Sequence, residues 1–173
     1  MAMMSESQRV KQFHANGNDP QAWRMSADEL LATARVLKRQ REAVSRDESR
    51  PGDLVPDESR VGAVEKMLQG FAVECLLKAL WVKQGHRLAD KGRLVGVTGV
   101  KDQHDLRHLA KVVGLTTDVA QNGLLGRLSV FTKTVGRYPI PTSQHDESGA
   151  GWSPTDDQML DDLVTELRDK VNA

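Results

Sequence analysis

A single cysteine, Cys75, excludes a disulfide framework and any cysteine-rich metal centre within one chain. It stands in the most apolar stretch of the sequence, so a buried and inert thiol is expected. Aromatic residues are scarce at 4%, against 39% hydrophobic residues in all, which leaves aliphatic side chains to build the core. Trp23, Trp81 and Trp152 fall on separate segments and read as packing anchors rather than as a platform for stacked bases. Charge of one sign is missing as well. Lys plus Arg equals Asp plus Glu at 24 each, which removes the footprint of a dedicated duplex-DNA binder while leaving room for local basic patches. No apolar run reaches the roughly 18 residues of a membrane span, and MAMMSESQRVKQF lacks the apolar segment of a secretory signal. The chain is therefore expected in the cytoplasm, with no membrane partner. Gly92, Gly96 and Gly99 lack phosphate-loop spacing and a following Lys-Ser/Thr, and there is no Gly-x-Ser-x-Gly elbow. Neither a cofactor nor a serine or cysteine nucleophile is expected.

What the sequence does contain is helical periodicity in a chain of 173 residues, long enough for one domain with a substantial core. Residues 1–22 are polar and punctuated by Asn and Gly, which suggests a polar tail or a short docking arm ahead of a helical domain over residues 23–173. Ser26-Ala27-Asp28-Glu29 matches a capping box, and Leu30, Leu31, Ala34 and Leu37 follow at helical spacing, predicting a helix over 27–46. Pro51, Gly52 and Pro56 then mark a charged loop around residues 47–57 that tolerates cutting. Val61, Val64, Leu68, Phe71, Cys75, Ala79 and Val82 predict a second helix over 59–84. It is apolar on nearly every side, a pattern that predicts a homodimer covering the exposed remainder. Residues 86–102 read as a binding loop or a flexible one. A short helix follows from His104 to Val113, then one capped by Thr116 or Thr117 and running to Val135. After the proline-containing loop 136–153, Ser153-Pro154 opens a last helix whose Asp156 and Asp157 suit the positive end of its dipole. No segment alternates as a strand.

The polar exceptions carry the functional reading. Glu74 and Lys78 lie one turn apart, either as a surface pair worth about 0.3–0.5 kcal/mol or as the polar stripe of a groove. His104 and His108 have a metal-compatible spacing around Asp105, but no third ligand stands in register, so no metal site is expected. The His104-Asp105 pair also occurs in metal phosphohydrolases of HD type, which place it inside an apolar helix. Here the polar residues before it mark a helix start, where His104 would cap or bond across to another helix.

Phe71 to Leu80 with Glu74 and Lys78, then HDLRHLA, then Gly136-Arg137-Tyr138-Pro139, then a capped terminal helix, resemble in order and spacing the HEPN superfamily. The resemblance spans about residues 25–172. It implies an all-α, up-and-down bundle of four to five helices that commonly dimerises. It further implies binding of RNA or a nucleotide, or partnership with a small nucleotidyltransferase or an antitoxin. On this reading Glu74, Lys78, His104, Asp105, Arg137 and Tyr138 form the binding region. Catalytic relatives act as metal-independent RNases in toxin–antitoxin or phage-defence systems, with a His for proton transfer and an Arg for phosphate charge. Arg137 and His145 would take those roles here. Seven residues, two of them prolines, separate this pair, which is wider than the catalytic motif. A non-catalytic binding domain is thus the first expectation and the RNase the alternative. On the bland reading Arg137 bonds helix-end carbonyls, Tyr138 anchors the loop and His145 is solvated.

Overall fold

The computed structural model describes residues 5–45, 61–135 and 151–173. Arg137, Tyr138 and His145 lie outside them, as does the loop at 47–57. The fold is all-α: helices α1 (Glu6–Gly17), α2 (Pro20–Ser45), α3 (Gly62–Lys83), α4 (Leu106–Val112), α5 (Val119–Val130) and α6 (Pro154–Asn172), with two two-residue strands, β1 (Ala89–Asp90) and β2 (Arg93–Leu94). No helix among the described residues is long and apolar enough to cross a membrane.

The apolar circumference of α3 finds its explanation in its place at the centre, where α2, α4, α5 and α6 all pack on it. Leu76, Leu77, Val73 and Ala79 are wholly buried, each large side chain contributing about 1.5–3 kcal/mol, and of its large apolar residues Val64 alone is exposed. The chain's own helices thus cover most of α3, and one narrow stripe through Val64, Leu68, Phe71 and Cys75 is left partly exposed. Gly70 lets α5 approach closely, since a Cβ there would lie 2.5 Å from Thr132 Cγ2 and 3.2 Å from the Leu128 carbonyl. Thr132 belongs to the π-helical turn Phe131–Val135 that continues α5.

Residues 1–22, expected as a polar tail or a short docking arm, hold all of α1 and the first residues of α2. Ser5 and Gln8 cap α1 reciprocally. Asn18 then ties its end to the hairpin: the side-chain oxygen accepts from the Leu88 and Ala89 N–H groups at 2.8 and 3.0 Å, and the amide donates to the Ala89 carbonyl at 2.9 Å. The predicted start of α2 is also corrected. Ser26 lies inside the helix with its hydroxyl bonded back to the Ala22 carbonyl, while the Asp19 carboxylate accepts from the Gln21 N–H ahead of Pro20. Capping by Asp19 with proline at the first helical position places the start seven residues earlier than the predicted 27.

The stretch 86–102 is a packed connection. Leu88, Val97 and Val100 enter the core, and the Gln103 amide accepts from the Val97 N–H at 2.7 Å and donates to the Val100 carbonyl at 2.6 Å. Within it β1 and β2 pair antiparallel through a two-residue turn, with Lys91 at φ 47° and Gly92 at φ 73°, the left-handed geometry that primed hairpin turns require. The cap of α5 is Asp118, in a reciprocal box with Gln121, rather than either threonine. The start of α6 is as predicted: Ser153 precedes Pro154, and Asp156 accepts from the Ser153 N–H at 2.9 Å.

Candidate functional site

A polar group on the buried part of a helix has to find partners within that helix or from neighbouring elements. Glu74 and Lys78, each 6% exposed, do so. Lys78 Nζ lies 2.5 Å from Glu74 Oε1 and sits over the Trp23 ring of α2, 5.4 Å from its centroid. The second carboxylate oxygen, Glu74 Oε2, is 2.8 Å from His104 Nδ1. The His104 ring meets Phe71 edge-on at 5.6 Å and remains about a third exposed, at 33% of its side chain. Three of the residues singled out in the sequence thus form one chain of contacts from the interior to the surface. The i,i+4 pair is a buried one, which corrects the surface alternative and raises the cost of breaking it.

The backbone before α4 holds His104 in place. Asp102 Oδ1 accepts from the His104 N–H at 2.9 Å, and Asp105 caps α4 by accepting from the His108 N–H at 3.1 Å. The Leu106 N–H donates to Ser129 Oγ at 3.0 Å, which in turn donates to the Leu125 carbonyl, so the α4 start is fastened to α5. Lys133 bridges to Asp102 at 2.9 Å and approaches Asp105 at 3.9 Å. Burial pushes the Asp102 carboxyl up, but hydrogen bonds from Lys133 and the His104 backbone N–H, together with the Lys133 charge, outweigh this and hold it below the usual carboxylate value. His104 therefore bonds across to another helix, one of the two roles expected of it, while the capping role belongs to Asp105. Asp105 lies beside the Glu74–Lys78–His104 chain.

Chemically, a carboxylate on Nδ1 fixes the proton there and orients the imidazole, leaving Nε2 for its other interactions. Glu74 has both oxygens engaged. No group of three or more His, Cys, Asp or Glu side chains that could hold a metal ion occurs among the described residues. Burial, aided by the neighbouring Glu74 charge, pushes the Cys75 thiol up to about 11, so it stays protonated at neutral pH.

A second buried cluster escaped the sequence reading. Glu65 is wholly buried at the start of α3, with Lys66 Nζ on one oxygen at 2.8 Å and Arg41 Nε on the other at 3.1 Å. Lys66 also reaches Asp157 of α6 at 3.0 Å and lies 4.2 Å over the Trp152 ring. Asp157 accepts further from Lys38 at 2.8 Å and from the Trp152 indole at 2.8 Å. Burial pushes the Asp157 carboxyl up, yet the Lys38, Trp152 and Lys66 hydrogen bonds win and bring it down to about 2. The hydrogen bond to Asp157 raises Lys38 in turn. The signal was present in the apolarity of α3 itself: a charge on the buried part of such a helix has to be paired.

No protein-family model, curated protein or solved structure matches the chain.

Proposed function

We propose that the chain is a HEPN-like binding domain that takes RNA or a nucleotide at the end of the helix cluster carrying His104, without cleaving it. The observation that carries this reading is the Glu74–Lys78–His104 chain, in which a buried, neutralised ion pair holds an imidazole at the surface beside the Phe71 ring. A partly exposed imidazole set edge-on to an aromatic ring offers the kind of ring surface on which bases stack. The order of the α3, His104 and Ser153 motifs along the chain supports the HEPN-like part of the proposal.

One feature favours the RNase as a second reading. The Glu74–His104 contact has the geometry by which a carboxylate prepares a histidine for proton transfer, so His104 would be the base or acid on this reading. Incubating the protein with labelled single-stranded RNA in EDTA separates the two. RNA that is retained and intact supports binding. Products that form in EDTA and disappear with His104→Ala establish the RNase, and absence of both binding and cleavage ends the RNA reading.

A further inference from the structure

We infer a phosphate-binding subsite in the depression between α4 and α5, centred on Arg107 and Lys111, for the phosphate of a nucleotide or of an RNA backbone. The depression encloses about 640 Å³ and is open to solvent. Arg107, His108 and Lys111 line it from α4, with Thr116, Thr117 and Asn122 on the facing side. Asp105 is the one acid among the described residues of the lining, and its carboxylate is engaged in capping α4. Two permanent cations and an imidazole thus share one concave surface with no ion pair to any described residue; other exposed cations, such as Lys91, Arg93 and Lys101, are also without one, and it is the shared depression that sets Arg107 and Lys111 apart.

Arg107 is held in position. Its Nε donates to the Asn122 carbonyl at 2.8 Å, and its guanidinium lies so close over Gly126 that a Cβ there would collide with Nη2 and Cζ. The terminal nitrogens have no partner among the described residues. A guanidinium fixed at Nε, with its outer donors unspent, matches the fork that phosphate oxygens accept. The Thr116 and Thr117 hydroxyls, likewise without partners among the described residues, supply neutral donors on the opposite wall. Among the described residues no Phe or Trp lines the depression, which fits a phosphate rather than a base and would bind without regard to nucleotide sequence. The residues involved are separate from the Glu74–Lys78–His104 chain, and the inference stands without the HEPN-like reading.

The test titrates the full chain with fluorescently labelled single-stranded RNA and, by calorimetry, with AMP, at low salt. The variants are Arg107→Gln/Lys111→Gln, Gly126→Ala and His104→Ala. The double variant should weaken binding by about tenfold or more and flatten the dependence of log Kd on log salt by about 1–1.5, with an unchanged melting temperature. Gly126→Ala, which removes no charge but displaces Arg107, should weaken it in the same direction. AMP binding lost in the double variant identifies a nucleotide phosphate, and binding of RNA alone identifies the backbone. Affinities within twofold of the parent in both charge and glycine variants, or no binding of either probe, would overturn the subsite. Loss on His104→Ala alone would do the same while sparing the function proposed above, and loss on the double variant alone would do the reverse.

Discussion

Glu74→Gln keeps the volume of the side chain and one acceptor oxygen but removes the charge that balances Lys78. The Lys78 ammonium is then left 6% exposed with the Trp23 ring and a neutral amide for company. Removing one partner of a buried pair costs about 3–5 kcal/mol, and the retained hydrogen bond returns about 1, so a loss of about 2–4 kcal/mol is expected. For a domain of this size that is a fall of about 5–15 °C in melting temperature. Lys78→Met in the same chain removes the orphaned charge, and the double variant should recover most of the loss, because a well-packed apolar pair can replace a buried ionic one. Urea unfolding of parent, both single variants and the double at neutral pH gives the coupling energy directly. Its expected size is at least about 2 kcal/mol. A Glu74→Gln loss under about 1 kcal/mol, or single losses that simply add, would refute the claim that this pair is desolvated and mutually dependent.

At the other end of α3, Asp157→Asn should cost about 1–2 kcal/mol at neutral pH, after discounting for partial exposure. The folded carboxyl lies near 2, below its ordinary 3.8, so this contribution is present above about pH 4 and fades as pH falls towards 2; a pH-independent difference in urea unfolding would contradict it. Gly70→Ala gains up to about 1 kcal/mol of helix propensity but forces a Cβ onto buried Thr132, so a net loss of about 1–2 kcal/mol is expected. Thr132→Ser, which removes the Cγ2 in contact, should relieve that loss, and thermal unfolding of the two variants checks it. Asn18→Ala strands the Leu88 and Ala89 N–H groups, with an expected cost of about 1–3 kcal/mol. Amide exchange should accelerate at those two residues more than in α3, and uniform acceleration would show that the contact is not local.

Helices whose signals are local were legible, and those that depend on a distant partner were not. Ser153-Pro154 followed by two aspartates marks the α6 start, and three-and-four spacing marks α3, because cap and periodicity are written within one turn of the helix they govern. Ser26-x-x-Glu29 carries the same signature inside α2, where the preceding turn was already helical from Asp19, so a correct pattern gave a late boundary. The stretch 86–102 looked loose because its glycines disrupt periodicity. All three, at positions 92, 96 and 99, have positive φ, and the turns they form bring Leu88, Val97 and Val100 into the core with Gln103 as the latch. At the site, residue type was readable but pairing was not. Glu74 with Lys78 follows from helical spacing, whereas the bond from Glu74 to His104 spans thirty positions and depends on how the α4 start is fastened to α5.

The two charged clusters answer a problem that the apolarity of α3 creates. Most of the α3 circumference is buried and its one partly exposed stripe, through Val64, Leu68, Phe71 and Cys75, is itself apolar, so apolar packing alone distinguishes poorly between rotations about its own axis. Charges remove that freedom, because a rotated α3 would bury them without partners at several kcal/mol each. Glu65 and Lys66 must meet Arg41 of α2 and Asp157 of α6, while Glu74 and Lys78 must meet Trp23 of α2 and His104 ahead of α4. With a constraint near each end, both the rotation and the axial position of the helix are set. The position of His104 follows from the same requirement: the carboxylate that locks α3 also orients the imidazole. A substitution in the lock would therefore disturb the surface it presents, so binding measurements at this site are interpretable only beside a stability measurement on the same variant.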